Sequence, residues 1–194
     1  MYPGASHIHN HTGSDNSQPQ GTMEMNTSGL GDSKVIGIYK ILNGENSSLV
    51  GSLGLNIPTG NYKISTSPVG GVSSGRYPYM MQTGTGSVDF SPGLTYFSSV
   101  KKISWSTQVI ATIRPFENSV GYHYGHEIML NCWGGYRIKS FASTSLRMEA
   151  ITAGEMTGSD PTLDVSSEPS ADWRNYGGQK INTYLGFNFY LNKG

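Results

Sequence analysis

A repeated two-residue alternation is the feature that most constrains this chain. In residues 86–97, the apolar Val88, Phe90 and Leu94 alternate with small or polar side chains such as Asp89. Successive side chains of a β-strand point to opposite faces, so the segment predicts a strand with one apolar face and one polar face. Seven segments follow this plan: 35–42, 48–57, 86–97, 103–115, 125–138, 141–156 and 179–191.

The connections between these segments alternate in length. The short ones are 43–47, 98–102 and 139–140, and the long ones are 58–84, 116–124 and 157–177. Outer-membrane barrels join their strands in this way, with short turns on one side of the membrane and long loops on the other. The sequence therefore predicts an all-β fold, an antiparallel up-and-down transmembrane β-barrel with lipid outside and water inside.

Composition excludes several classes of binding partner and structure. Charged residues make up 13% of the chain, about half the usual share, and the net charge is zero. A neutral chain has no long-range attraction for nucleic acid. No apolar run is long enough for a transmembrane helix. The single cysteine, Cys132, excludes an internal disulfide, and a thiol of this kind is expected to be a buried structural group.

Residues 1–32 are rich in His, Asn, Ser, Gly and Thr and show no period, so they predict a polar arm or loop. Residues 1–20 have no basic start followed by an apolar core, so no signal peptide is expected within this chain. Residues 33–194 form the predicted barrel domain. Seven strand-like segments are an odd number, whereas single-chain bacterial barrels have an even one. We therefore expect a fragment whose barrel is incomplete at both ends.

Histidines and methionines in the arm are candidate metal ligands. They are His7, His9, His11, Met23 and Met25. Imidazole and thioether groups suit a soft transition metal such as Cu(I). The spacing matches no closed metal site, so the sequence favours a polar surface loop and predicts no cofactor.

Charged and polar side chains on the polar faces are the candidate permeation residues. They are Asp89, Arg114, Glu127, Arg137, Arg147, Glu149 and Asn188. Such groups can bias the passage of solutes through a lumen, or they can pair across strands and brace the wall. Aromatic residues near the predicted strand ends, among them Tyr79, Tyr122, Tyr124 and Tyr176, are expected to contribute to an interfacial girdle. No nucleophile elbow, P-loop or zinc-protease motif is present, so we expect no enzyme activity.

Six blocks carry a family resemblance. They are SGLGD at 28–32, LNIPTG at 55–60, YPYMMQTGTGSVDFSPGLTY at 77–96, SWSTQVIATIR at 104–114, GYHYGHEIMLNCWGGYRI at 121–138 and STSLRMEA at 143–150. In this order they resemble the outer-membrane transporter-like proteins of the phenol meta-pathway degradation family. The resemblance covers residues 23–191, and the block at 77–96 is its most specific part. Such proteins are channel-forming barrels of roughly a dozen strands, with a signal peptide.

Pattern and resemblance together imply a function. We expect a porin-like channel or transporter in the outer membrane of a Gram-negative bacterium, which passes small molecules passively, including hydrophobic or aromatic compounds. Its partners would be outer-membrane lipid and small solutes. The alternative is a soluble β-barrel or sandwich that binds a small apolar ligand with the same alternating strands turned inside out.

Overall fold

The structure is a computed structural model that describes residues 6–9, 23–65, 75–166 and 169–190. The strands are β1 (Ser6–His9), β2 (Met23–Asn26), β3 (Ser33–Asn43), β4 (Ser47–Ile57), β5 (Asp89–Val100), β6 (Ile103–Thr112), β7 (Tyr122–His123), β8 (Glu127–Lys139), β9 (Ala142–Ala153), β10 (Thr157–Gly158) and β11 (Gly178–Phe189). The 3-10 turns are Tyr79–Met81, Pro169–Ala171 and Trp173–Tyr176. Within these ranges, no helix is long and apolar enough to cross a membrane.

Seven strands form one antiparallel sheet in the order β11-β9-β8-β6-β5-β4-β3. The chain runs back and forth through neighbouring strands, so the three short turns meet at one end and the three long connections at the other. The prediction of an all-β antiparallel sheet is confirmed. Over the described residues the sheet is open, because β3 and β11 have no ladder partner on their outer edges.

Two two-stranded sheets accompany it. Strand β7 pairs with β10 between two of the long connections. Strand β1 pairs with β2, within the part of the chain for which the sequence predicts an arm without strands. Four-residue strands in a polar segment are too short for a two-residue period to be recognised in the sequence.

The sheet has two local irregularities. In β3, the register shifts between Lys40 and Leu42, so Ile41 is an extra residue and Leu42 pairs with Leu49. A proline inside a strand favours a bulge or a kink, but at Pro92 the register is the same on both sides. Proline has no N–H, so it interrupts the hydrogen bonds to β6 without displacing a residue.

Each face of the sheet keeps its predicted character. Through the register, Leu94, Val109, Leu130, Ala150 and Ile181 form one row on the apolar face. All of these except Ala150 are large hydrophobic side chains that are at least 43% exposed. The other face, which we call the polar face, carries the charges and amides, together with a row of the apolar residues Ile110, Met129 and Ile151.

Cys132 lies on the uncovered apolar face. Its thiol is exposed, and its Sγ is 3.0 Å from the Oγ1 of Thr107 on the neighbouring strand. The prediction of a buried structural cysteine is therefore wrong. The reason is that no second layer covers this face in the described part of the chain, so a residue type that is usually buried remains exposed here.

The buried apolar side chains concentrate in the long connections and not on the sheet. Tyr79, Met81, Tyr122 and Met156 are each at most 2% exposed. They come from the connections that follow β4, β6 and β9. The long-loop end of the sheet therefore has a packed core of its own.

Candidate functional site

All seven predicted permeation residues lie on the polar face, at three levels. Arg137 and Asn188 lie near the short turns. Both are in register with Ser143, Arg137 on one neighbouring strand and Asn188 on the other. Arg147 and Glu149 lie at mid-strand. Asp89, Arg114 and Glu127 lie at the long-loop end, where β5 and β8 begin and β6 has just ended.

Arg147 is the centre of a hydrogen-bonded network at mid-strand. Its Nη2 is 2.7 Å from Glu149 Oε2, and its Nε donates to Asn131 Oδ1 at 2.9 Å. Asn182 Nδ2 donates to the second Glu149 oxygen at 2.9 Å. The Arg147 guanidinium also lies 5.3 Å from the ring centre of Tyr184. We call these five residues the Arg147 network.

The row of polar residues that contains the Arg147 network extends across the sheet. In register, Asn182 is opposite Glu149, and Glu149 is opposite Asn131. Gln108 follows on β6 and donates to Thr95 on β5 at 2.9 Å. Five strands therefore present fixed polar groups along one line that crosses the strands.

The Arg147 side chain is 43% exposed, so its charge is accessible to solvent although it is paired. The Glu149 side chain is only 12% exposed, so the arginine presents the more accessible charge of the pair.

At the long-loop end, the carboxylate of Asp89 is almost fully buried. Its Oδ2 lies 3.5 Å from Arg114 Nε, and its Oδ1 accepts from Ser87 Oγ at 3.2 Å. Asn56 Nδ2 donates to the same carboxylate at 3.4 Å. Arg114 also donates to the Gly125 carbonyl, which fixes the connection before β8 against the end of β6.

A second aspartate, Asp32, joins three of the sequence blocks. Its Oδ1 accepts from the Gly60 amide at 2.9 Å. Its Oδ2 accepts from the Thr85 amide at 2.8 Å and from the Thr85 hydroxyl at 2.7 Å. Asp32 ends SGLGD, Gly60 ends LNIPTG and Thr85 belongs to the 77–96 block. Three segments far apart in sequence thus meet at one carboxylate, and we call them the Asp32 junction.

The Asp32 junction requires glycine at three positions, Gly60, Gly84 and Gly86. A Cβ on Gly60 would lie 2.7 Å from the Gly84 Cα, so the two backbones touch where they cross. Gly86 has φ +73°, and a Cβ there would lie 2.6 Å from the ring of Tyr62. The TGTG motif therefore serves a close crossing and a left-handed turn.

Tyrosines form the core of the long loops. The ring of Tyr79 lies 4.8 Å from that of Tyr122 and 5.5 Å from that of Tyr176, both edge to face. Tyr124 joins them and donates to the Tyr79 carbonyl at 3.1 Å. Met156 packs against the same rings. These five residues, the tyrosine cluster, form a packed core, so the four tyrosines are not the girdle residues that the sequence suggests.

A buried ion pair supports the tyrosine cluster. Arg76 Nε lies 3.3 Å from Asp160 Oδ2, and the Asp160 side chain is 1% exposed. The Asp160 amide donates to the Tyr79 hydroxyl at 2.8 Å. The tyrosine cluster and the ion pair thereby connect the loop after β4 to the loop after β9.

Burial changes the titration of the cluster. It raises the pKa of Tyr122 to about 12, and desolvation also raises the pKa of Tyr79 and of Tyr124. An unfolded tyrosine ionises near pH 10. As pH rises above 10, unfolded loops lose these protons before folded loops do.

We therefore expect the stability that the cluster gives to the loops to be complete below pH 10 and to fall as pH rises towards 12. Proteolysis of the loops across this range, with tyrosinate absorbance recorded in parallel, measures the effect. In Tyr122→Phe, which cannot ionise at this position, the decline should be shallower. Loops of the unaltered protein that stay equally resistant to protease from pH 9 to 12 would contradict the assignment.

No protein-family model matches the chain, and no curated protein matches it. The resemblance to the phenol meta-pathway family stays a prediction.

The metal candidates fall in the amino-terminal hairpin. The structure places the backbones of His7 and His9 in β1 and those of Met23 and Met25 in β2, whereas His11 lies outside the described residues. In the part of the chain that the structure describes, no group of three or more His, Cys, Asp or Glu residues could hold a metal ion.

The sequence did not reveal which residues organise the loops. Asp32, Arg76 and Asp160 were not recognised as candidates, and Tyr79 and Tyr122 were expected in an interfacial girdle and not in a packed core. The glycines next to Asp32 and Thr85 were the available signal, because a close backbone crossing needs them. Nothing in the sequence pairs Arg76 with Asp160, which is 84 positions further along the chain.

Proposed function

We propose that the chain forms part of a β-barrel of the bacterial outer membrane that acts as a channel or transporter for the passive passage of small molecules, including hydrophobic or aromatic compounds. The apolar face contacts lipid, and the polar face lines a water-filled passage. The partners are outer-membrane lipid and small solutes. No nucleic acid and no enzyme reaction take part.

The observation that carries the proposal is the difference in exposure between the two faces. Along β8, Ile128 and Leu130 are exposed, whereas Met129, Asn131 and even the large Trp133 are half-buried on the polar face. Side chains crowd one another on the inner side of a curved sheet. The pattern therefore favours a sheet that curves around its polar face, as in a barrel with a polar lumen.

The size of the apolar face supports the same proposal. Large exposed apolar side chains occur on all seven strands of the sheet, from Tyr39 at 75% on β3 to Phe189 at 73% on β11. Soluble monomers rarely expose contiguous apolar patches larger than a few hundred Å². Lipid accepts such a surface without a second protein layer.

The open edges of β3 and β11 need partners if the sheet lies in a membrane. Unpaired N–H and C=O groups are not tolerated in the hydrocarbon region of a bilayer. In the proposed barrel, β3 and β11 therefore pair with further strands. The natural sources are other segments of the same protein, which is the expectation for a fragment.

Substitutions in the Arg147 network test the proposal through the ion selectivity of the passage. Neutralising the arginine in Arg147→Gln leaves Glu149 without its cation and should make the passage more cation-selective. Glu149→Gln should shift selectivity towards anions. Protein extracted from outer membranes and reconstituted in a planar bilayer, with a salt gradient across it, reports both shifts as changes of reversal potential in opposite directions.

Arg174→Gln is the matched control, because Arg174 is an exposed arginine paired with Asp172 in a loop turn outside the polar face. It should leave the reversal potential unchanged. If neither sheet variant moves the reversal potential, or if Arg174→Gln moves it as far, the polar face does not line the passage. A folded monomer that purifies without detergent and binds a small apolar ligand would instead support the soluble alternative.

A further inference from the structure

The polar face contains a recess of about 180 Å³ at the short-turn end of the sheet. Its lining comes from β5, β6, β8, β9 and the end of β11, and from the turn between β5 and β6. The residues of the Arg147 network do not line it. The recess is therefore a separate feature of the face that we propose lines the passage.

An indole ring forms one wall of the recess. In register, Gly135 is opposite Ser104 on β6 and Ser145 on β9. A Cβ on Gly135 would lie 3.0 Å from Cη2 of Trp133 and 3.1 Å from the Oγ of Ser104. The half-buried Trp133 thus extends over Gly135, where a larger residue would displace it. The recess combines a flat apolar ring with neighbouring hydroxyl groups.

The charges around the recess are all positive. Lys101 and Lys102 of the turn and Arg137 of β8 line it, and no acidic side chain is among the described residues of its lining. Within the described part of the chain, none of these three cations forms an ion pair. Their charges are therefore available to a ligand, and the recess favours an anion over a neutral or cationic solute.

The backbone of the turn is unusual at one of these cations. Lys101 has φ +55°, a left-handed conformation that residues other than glycine, asparagine and aspartate rarely adopt. The turn thus carries a charged side chain at a position where glycine would fit the backbone better. Unfavourable backbone conformations of this kind concentrate at binding sites. The conformation of Lys101 therefore supports a role for its charge.

We propose that the recess binds small aromatic carboxylates, with Arg137 holding the carboxylate and Trp133 contacting the ring. A guanidinium presents parallel N–H donors that match the two oxygens of a carboxylate. The hydroxyl groups of Ser143 and Ser145, which also line the recess, can donate to the same anion. The indole offers a planar apolar surface to an aromatic ring. This inference names a substrate class for the passage, so it rests on the proposed function.

The experiment is a titration of protein extracted from outer membranes and held in detergent, with benzoate binding followed by ligand-observed NMR. Two reference ligands separate charge from ring. Benzamide has the ring without the charge, and acetate has the charge without the ring. We expect benzoate to bind at least about tenfold more tightly than either. Added salt should weaken the binding of benzoate but not that of benzamide, because salt screens exposed charges.

Substitutions identify the groups that bind. Arg137→Gln should weaken benzoate binding about tenfold and leave benzamide binding unchanged. Trp133→Leu keeps an apolar side chain but removes the ring, so it should weaken the binding of both aromatic ligands. Arg137 is exposed, so its replacement should not affect folding and the test stays decisive if the leucine variant does not fold. Circular dichroism of each variant controls for folding.

Lys139→Gln is the matched control. Lys139 lies two positions from Arg137, but its ammonium group is 5.8 Å from the centre of the Phe141 ring and it does not line the recess. This variant should keep the benzoate affinity of the unaltered protein. Equal losses in Arg137→Gln and Lys139→Gln would overturn the proposal, and so would equal affinities for benzoate and benzamide or for benzoate and acetate.

The binding measurement needs a folded protein but no conduction, so its failure is distinguishable from that of the proposed function. A protein that shows the reversal-potential shifts of the Arg147 and Glu149 variants but does not prefer benzoate contradicts the carboxylate site alone. A protein that prefers benzoate, loses this preference in Arg137→Gln and does not conduct supports the site and contradicts the passage.

Discussion

Truncation of Tyr79 to alanine should destabilise the long loops by about 3–5 kcal/mol, the range for removing a large buried aromatic side chain. The ring is 2% exposed and packs edge to face on Tyr122 and Tyr176. Its hydroxyl also accepts a hydrogen bond from the Asp160 amide, and this amide would lose its partner in the alanine variant. Amide hydrogen exchange should show faster exchange in the loops after β4 and β9, while strand amides keep their protection.

Two control substitutions distinguish the contribution of the packed ring from that of the hydroxyl and from the effect of any change in this loop. Tyr79→Phe keeps the packed ring and removes only the acceptor, so we expect a smaller loss, about 1–3 kcal/mol. Met80→Ala lies in the same turn, but its side chain is 46% exposed and should have little effect. If Met80→Ala opened the loops as much as Tyr79→Ala, the tyrosine cluster would not be their core.

The sheet was predictable because its signal is local and repeated. A two-residue alternation sustained over ten or more residues gives the strand, its two faces and, through the hairpin turns, its neighbours. For β11, the sequence predicts 179–191 and the structure gives Gly178–Phe189. The extra residue at Ile41 was not predictable, because it lies in a strand that has apolar residues on both faces and therefore shows no clear two-residue alternation.

The loops were not predictable, because their order comes from contacts between distant segments. Nothing local distinguishes Tyr79 from an interfacial tyrosine, since both are aromatic residues near a strand end. Its burial depends on Tyr122, Tyr176 and Asp160, which come from two other connections. The same argument applies to Asp32, whose partners Gly60 and Thr85 lie near the two ends of the connection between β4 and β5, 25 positions apart.

The candidate site also has a predictable part and an unpredictable part. The sequence predicts which charges share the polar face, because that follows from alternation. It cannot predict that Arg147 joins Glu149, Asn131 and Asn182, because these contacts depend on the register across three strands.

Two adjacent residues of β6 provide the most direct test of which face meets lipid. Val109 lies on the apolar face between Leu94 and Leu130, and Gln108 lies on the polar face between Thr95 and Asn131. The two share depth, backbone and a central position in the sheet. If the apolar face meets lipid, Val109→Arg should cost about 2–4 kcal/mol near the bilayer midplane.

Gln108→Arg should be tolerated in the same background. It loses the hydrogen bond to Thr95, worth about 1 kcal/mol, but in the proposed barrel its charge would face the water-filled side. Folding of both variants into lipid vesicles, followed by the resistance of the barrel to protease, measures the difference. In a soluble barrel with an apolar interior, Val109→Arg would still be damaging, but neither variant nor the parent would need lipid to fold. Equal damage from the two variants in lipid would contradict the assignment of the faces, because only their direction from the sheet distinguishes them.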